Sequence, residues 1–342
     1  MFALSPAPTW RLPLLCGLMP FVRPELAALS ALLMIRQTWV HWAQTGTDKV
    51  RTFTAVVRDG VLAILAAAPW LVWSWFDTGH LLPATISAKS AFFAEGGLPW
   101  WRKLRLMASA INVMTFVPAV LGFLFLRRSS IALVVWGFLG AFMAAYYVQL
   151  PAALHHNYFR YLHILAPLSV FGLLMATCDG NRVRGHIPLA VASLLTAVTL
   201  PFSWGAYKTE LDYTRRESVG MADWVNENLS PDARILIHDA GYIAFATPFQ
   251  LIDMVGLKTP SSIPYHQRWA APTNGAGRGE AIHQIALSSN PTHAVILLND
   301  ANNFWGAAAN ALRQRGWLLE AIRPAPQVVE GFAVFRLTAP TP

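Results

Sequence analysis

The first 206 residues hold six apolar runs, at 12–35, 57–76, 104–126, 130–150, 158–178 and 186–206. Each is close to the ~20 residues that a helix needs to cross the hydrocarbon core of a bilayer. A backbone in lipid must satisfy its own hydrogen bonds, so such runs are expected as helices. Only 13% of the residues are charged, against about 25% in a soluble domain, which argues for a membrane protein. The expected fold is an α-helical polytopic membrane protein, with about six transmembrane helices over 1–206. A small α/β extracytoplasmic domain over 207–342 follows. The first run does not read as a signal peptide. It lacks a basic leader and a small-residue cleavage site, and it carries Arg23 and Glu25 inside.

The charges sort the loops. Residues 1–206 carry 15 Lys and Arg against 6 Asp and Glu, whereas residues 207–342 carry 11 against 12. The basic surplus therefore lies in the apolar part, as expected for membrane topology and lipid-phosphate contact, and no nucleic-acid partner is expected. Arg36, Lys49, Arg51 and Arg58, then Arg127 and Arg128, then Arg182 and Arg184 fall on one side if every run crosses once. The positive-inside rule makes that side cytoplasmic. The loop 77–103, the loop 151–157 and everything after 206 then face outward, so the expected place is the inner (cytoplasmic) membrane with a periplasmic C-terminal domain. Lys89, Arg102 and Lys103 run against the rule.

From 207 the apolar runs shorten. The pattern predicts a helix over 215–229, strands over 234–238, 249–257 and 293–298, a helix near 280–289, and another over 308–316 closed by Gly316. The segments 317–323 and 331–337 predict a terminal antiparallel pair. Residues 258–279, rich in Pro, Gly and polar residues, are expected as an irregular loop.

Several residues could carry chemistry. Arg23-Pro24-Glu25 places two ionisable groups and a helix breaker inside an apolar run, a functional-site hypothesis or a structural Arg–Glu pair. In the loop 77–103, Lys89 and Arg102 could hold a phosphate head group, or Lys89 could snorkel to water beside Trp100 and Trp101. Arg160, between Tyr158 and Tyr161, lies at lipid-phosphate depth, where a guanidinium can grip phosphate bidentately or simply anchor the interface. His155 and His156 are adjacent with no carboxylate close in sequence, so no metal site is expected. Cys16 and Cys178 lie in apolar runs and read as small hydrophobes. Asp239 and Asp253 stand at the ends of expected strands, where α/β sheets gather ligands and where aspartates also form turns. No GxSxG, GxxxxGK[ST], GxGxxG or HExxH pattern occurs, and no cofactor is expected.

Four segments, taken in order, carry a resemblance: RPE at 23–25, GHLLPATISAK at 79–89, NYFRYLHILAP at 157–167, and DAGYIAF at 239–245 followed by LIDMVGL at 251–257. Over about 20–260 the chain resembles the C-terminal portion of bacterial GT-C type membrane glycosyltransferases, similar to dolichyl-phosphate-mannose mannosyltransferases and arabinosyltransferases. Ala84 stands where the family has an Asn in a Leu-Pro-Asn-Thr pattern. The resemblance implies transfer of a sugar from a polyprenyl-phosphate donor to an extracytoplasmic acceptor. Lys89, Arg160, Arg102 and Tyr161 would face the donor phosphate, and Arg23 and Glu25 would support the bundle. The family's catalytic carboxylate lies in a first outward loop that this chain is expected to lack, as a truncated, split or mis-started transferase would. That would call for a missing N-terminal half as partner. The alternatives are a membrane anchor presenting the α/β domain as a periplasmic binding or assembly module, and a transporter. A transporter would need matching broken helices in paired halves, and the one interruption read from the sequence is at Pro24.

Overall fold

A computed structural model describes residues 9–46, 48–79, 81, 84–114, 131–178, 182–298, 304–325 and 331–340. The chain forms two compact units, one of Met1–Pro83 with Trp100–Val198 and one of Ala84–Pro99 with Thr199–Pro342.

The first unit is helical. Its elements are α1 (Arg11–Val22), α2 (Leu26–Thr45) and α3 (Lys49–Thr78), then, beyond α4 (Thr85–Phe93) of the other unit, α5 (Trp100–Met114), α6 (Ala132–Gln149), α7 (Ala166–Cys178) and the start of α8 (Arg182–Tyr213). The run 12–35, expected as one span, folds as two helices. Arg23 has an extended backbone, and Pro24, with no N–H to donate, follows it. The chain folds back there, and Gln37 Nε2 donates to the Thr9 carbonyl at 2.9 Å. Twelve residues rise only about 18 Å, so α1 is too short to cross a bilayer. Gly17 lets α1 approach α3 closely, since a Cβ there would meet the Ala63 carbonyl. Leu12, Cys16, Leu33, Val135, Phe138 and Phe142 form the buried core of this unit.

Three helices are long and apolar enough to cross a membrane, at Lys49–Asp77, Ala132–Gln149 and Leu189–Asn228. Along α3 the apolar side chains Val61, Ile64, Leu65, Val72 and Phe76 are exposed, a surface suited to lipid and costly in water. The sequence expects about six spans. The run 158–178 is interrupted by a left-handed Phe159 (φ 60°) and a 3₁₀ turn at Leu162–Leu165 before α7 begins. The run 104–126 lies partly outside the described residues.

The second unit is built on a five-stranded mixed sheet in the order β2-β1-β3-β5-β4. Its strands are β1 (Arg234–Ile237), β2 (Gln250–Asp253), β3 (His293–Leu298), β4 (Leu318–Arg323) and β5 (Gly331–Thr338). The first three are parallel, and β5 pairs antiparallel with both β3 and β4. Period-two alternation explains the layers. Leu236, Ala294 and Ile296 face one core with Ile282 and Ile285 of α11 (Arg278–Ser289) and Leu312 of α12 (Gly306–Gln314). Ile235, Ile237 and Val295 face the other, with Met221 and Val225 of α9 (Gly220–Asn228) and Ile243 of α10 (Gly241–Ala246).

Residues 258–279, expected as irregular, are largely helical. Short turns at Pro260–Ser262, Ile263–Tyr265, His266–Ala270 and Ala271–Thr273 follow one another. Pro260, Pro264 and Pro272 each stand in the first two positions of their turn, where the missing N–H costs nothing. Helix α4 packs on this segment through Ala88, Ala91 and Ile263.

Candidate functional site

Two breaks in the first unit's helices come together. At one, Arg23 and Glu25 stand between α1 and α2. At the other, Arg160 and Tyr161 stand between a helical turn ending at the left-handed Phe159 and the 3₁₀ turn before α7. Arg23 Nη1 donates to the Arg160 carbonyl at 3.0 Å, across 137 residues of sequence. The Tyr146 hydroxyl of α6 donates to Glu25 Oε1 at 2.6 Å, across 121 residues. The rings of Tyr146 and Tyr161 lie 5.7 Å apart. Arg160 Nη2 donates to the Tyr161 hydroxyl at 3.2 Å, with the guanidinium 5.1 Å from that ring's centre.

The parts of this cluster have separable tasks. The Arg23 bond to a main-chain oxygen ties one helix break to the other. Glu25 accepts from Tyr146, so its carboxylate holds α6 against the α1–α2 hairpin. Arg160 is exposed, and its contacts to Tyr161 orient a guanidinium that can still fork onto phosphate oxygens. A non-glycine residue at φ 60° is uncommon, and such strain tends to collect at sites where geometry matters.

The other expected residues lie elsewhere. Arg102 is exposed near the start of α5, beside exposed Trp100 and Trp101. Its neighbour Lys103 is buried, donating to the Val148 carbonyl at 3.3 Å. Lys89 belongs to the second unit, half-buried on α4. Among the described residues, no group of three or more His, Cys, Asp or Glu side chains could hold a metal ion.

In the second unit the carboxyl ends of β1 and β2 lie side by side, with Ile237 opposite Asp253. Asp239 is exposed there. Asp253 is buried and organises the following turn, its Oδ1 accepting from the Val255 N–H and its Oδ2 from the Lys258 N–H, both at 2.8 Å. Burial pushes its carboxyl above the usual carboxylate range, against the pull of those N–H donors. Asp253 is therefore a turn-former whose oxygens are already engaged.

Sequence reasoning missed His238, which ends the apolar run RILIH. It is buried, stacks on Trp305 with ring centres 3.9 Å apart, and leaves Nδ1 without a hydrogen-bond partner among the described residues. Burial lowers its pKa to about 3. His266 is also fully buried, with one ring nitrogen 2.6 Å from the Met254 carbonyl and a pKa lowered to about 4 by burial. Phe92 of α4 lies between these groups, 5.0 Å from the His266 ring and 5.5 Å from the Trp305 ring.

Also missed was Asp59 on α3. Its Oδ2 accepts from Gln37 Nε2 at 2.6 Å and lies 2.8 Å from His41 Nε2, while Oδ1 accepts from Arg58 at 2.8 Å. The signal was present, since Asp59 stands near the head of the apolar run 57–76, where a carboxylate is costly unless paired.

Comparison with known proteins adds one match. The model of a family described as "Domain of unknown function (DUF8728)" matches residues 207–335, a span that holds β1 to β4 and ends within β5. No curated protein and no solved structure matches the chain.

Proposed function

We propose that this chain is a membrane glycosyltransferase, or the C-terminal part of one, that transfers a sugar from a polyprenyl phosphate to an extracytoplasmic acceptor. In this reading about six crossings hold the first unit in the inner membrane, and the second unit faces the periplasm. The observation that supports it is the meeting of Arg23 and Glu25 with Arg160 and Tyr161 at two helix breaks. Broken helices that bring charged groups together in an apolar bundle are where membrane proteins bind polar substrates. The acceptor oxygen bonds to the anomeric carbon as the bond from that carbon to the phosphate oxygen breaks. The lipid phosphate leaves with the electron pair, and Arg160 stabilises its charge. Arg23, Glu25 and Tyr146 position that guanidinium, and the base that takes the acceptor's proton is not assigned to this cluster.

The test is donor binding by the full chain in lipid nanodiscs. Wild type is expected to bind a polyprenyl-phosphate sugar, and Arg160→Ala to bind about tenfold more weakly, the worth of one charge-assisted contact. Equal affinity of the two proteins would remove the reading.

A second reading is a membrane anchor that presents the α/β domain as a periplasmic binding or assembly module. The packing of α4 favours it, because the helix that carries Lys89 is built into the second unit through Ala88, Ala91 and Phe92. Lys89→Ala separates the two. Weaker donor binding supports the transferase, and unchanged binding together with unchanged folding leaves α4 a structural part.

A further inference from the structure

A groove of about 650 Å³ opens beside the buried Asp59 cluster. From α3 and its cap it is lined by Asp48, Arg51, Thr54 and Arg58, and from α1 and α2 by Trp10, His41 and Thr45. Arg51, Thr54, Ala55 and Arg58 recur at helical spacing, so they form one stripe along α3. Two guanidiniums on one stripe and one carboxylate at its end make a site with separated charges.

The remaining valences are specific. Arg51's guanidinium has no partner among the described residues, although its main-chain N–H donates to Asp48 Oδ1 at 3.0 Å. Arg58 uses Nε and Nη2 on Asp59 Oδ1, at 3.1 and 2.8 Å, and its side chain is about half exposed. Asp59 is saturated by Gln37, His41 and Arg58, so it stiffens the wall and offers no charge to a ligand. Thr54 donates its hydroxyl proton to the Val50 carbonyl at 2.9 Å, which leaves its oxygen lone pairs at the groove, whereas Thr45 donates to the His41 carbonyl at 2.9 Å and also meets the Thr52 hydroxyl. Asp48 keeps Oδ2 without a hydrogen bond among the described residues.

The surroundings place the groove at the head of a candidate span. It lies at the first turns of Lys49–Asp77, where Val50, on the groove's own wall, and Phe53 are strongly exposed. On α2 the exposed rings of Trp39 and Trp42 lie 5.3 Å apart, tilted to one another, the residue type that membrane interfaces collect. A ligand seated there can keep an acyl tail in the hydrocarbon.

We propose that this groove binds the head group of a zwitterionic phospholipid, a phosphoethanolamine. Its phosphate sits between Arg51 and Arg58, which supply charge-assisted N–H donors. Its ammonium donates to Asp48. A purely anionic head group leaves Asp48 opposed to like charge, and a quaternary amine has no N–H to give it. The site is separate from the cluster at Arg160 and does not rest on the transferase reading.

The experiment is native mass spectrometry of the full chain, released from nanodiscs containing phosphatidylethanolamine, phosphatidylglycerol and phosphatidylcholine in equal parts. Wild type is expected to retain phosphatidylethanolamine in preference to the other two. Arg51→Gln, which removes no side-chain hydrogen bond or ion pair among the described residues, is expected to lower that retention about tenfold, and Asp48→Asn to abolish the preference over phosphatidylglycerol. Inorganic phosphate at millimolar concentration is expected not to displace the lipid. Unselective retention by wild type, retention unaffected by Arg51→Gln, or displacement by phosphate alone would each overturn the proposal.

Discussion

At Gly256 the backbone φ is +96°, and a Cβ would stand 2.8 Å from Ile263 Cγ1. Both facts forbid a side chain, since a non-glycine residue is strained at that φ and the Ile263 methylene is held by its own packing. Gly256→Ala is expected to destabilise the second unit by about 2 kcal/mol, measured by urea unfolding of the full chain in detergent. Gly79 gives the contrast. Its φ is +71°, but among the described residues nothing lies within 4 Å of a Cβ placed there, so Gly79→Ala carries only the conformational penalty, about 1 kcal/mol. Equal losses at the two positions would mean that the Ile263 contact contributes nothing. Asp253 belongs to the same turn. Its two oxygens accept separate N–H groups, so Asp253→Ala leaves two donors without their acceptor and is expected to cost about 3 kcal/mol. An aspartate reserved for ligand chemistry would instead leave folding unchanged when replaced.

Helix α4 shows what can and cannot be read at the level of elements. The sequence after Pro83, ATISAKSAFF, holds no proline or glycine that would stop a helix. It cannot predict where that helix docks, because the partners are far along the chain. Arg278 Nε and Nη2 donate to the carbonyls of Phe92 and Phe93 at 2.9 and 3.2 Å, from 186 and 185 residues away. The same guanidinium lies 4.9 Å from the Phe92 ring and 4.8 Å from the Phe304 ring. It thus caps the carboxyl end of α4, where a cation is favoured. Arg278→Ala is expected to speed hydrogen exchange over 85–93 by at least tenfold, and Arg278→Lys to restore protection only in part, because an ammonium cannot fork onto two carbonyls. Unchanged exchange in Arg278→Ala would show that apolar packing alone holds α4. The strands were legible because RILI, HAVILL and GFAVFRL are short apolar runs bounded by turn residues. The helical character of 258–279 was not, because three prolines read as breakers until their places at the starts of short turns are known. The α1–α2 hairpin was half legible. Pro24 marks the break, but whether a break kinks a span or folds it back depends on contacts such as that of Gln37 with Thr9. Of the candidate site, the residue types were legible and their meeting was not, because residues 121 and 137 positions apart have no pattern that pairs them.

For the molecule as a whole, the two buried histidines set an acid limit on the second unit. Unfolded, His238 and His266 would titrate near 6.5, whereas in the fold burial holds them to about 3 and about 4. The unfolded chain therefore binds more protons than the folded one between those values, and stability falls as pH falls. The contribution is complete above about pH 6.5 and declines by roughly 1.4 kcal/mol per pH unit for each histidine down to pH 4. Asp253 works in the opposite sense, because its raised pKa lets the folded state take up a proton first. One carboxyl can offset at most one proton, whereas the two histidines each take one up on unfolding, so stability still falls from pH 6.5 to 5. Urea unfolding of the full chain in detergent, followed by tryptophan fluorescence, is expected to show falling stability across that window. His238→Phe keeps a ring against Trp305 and removes the titrating group, so its slope is expected to be shallower by about one proton. If wild type and His238→Phe lose stability at the same rate between pH 6.5 and 5, the neutral burial of His238 against Trp305 is not what limits the fold in acid.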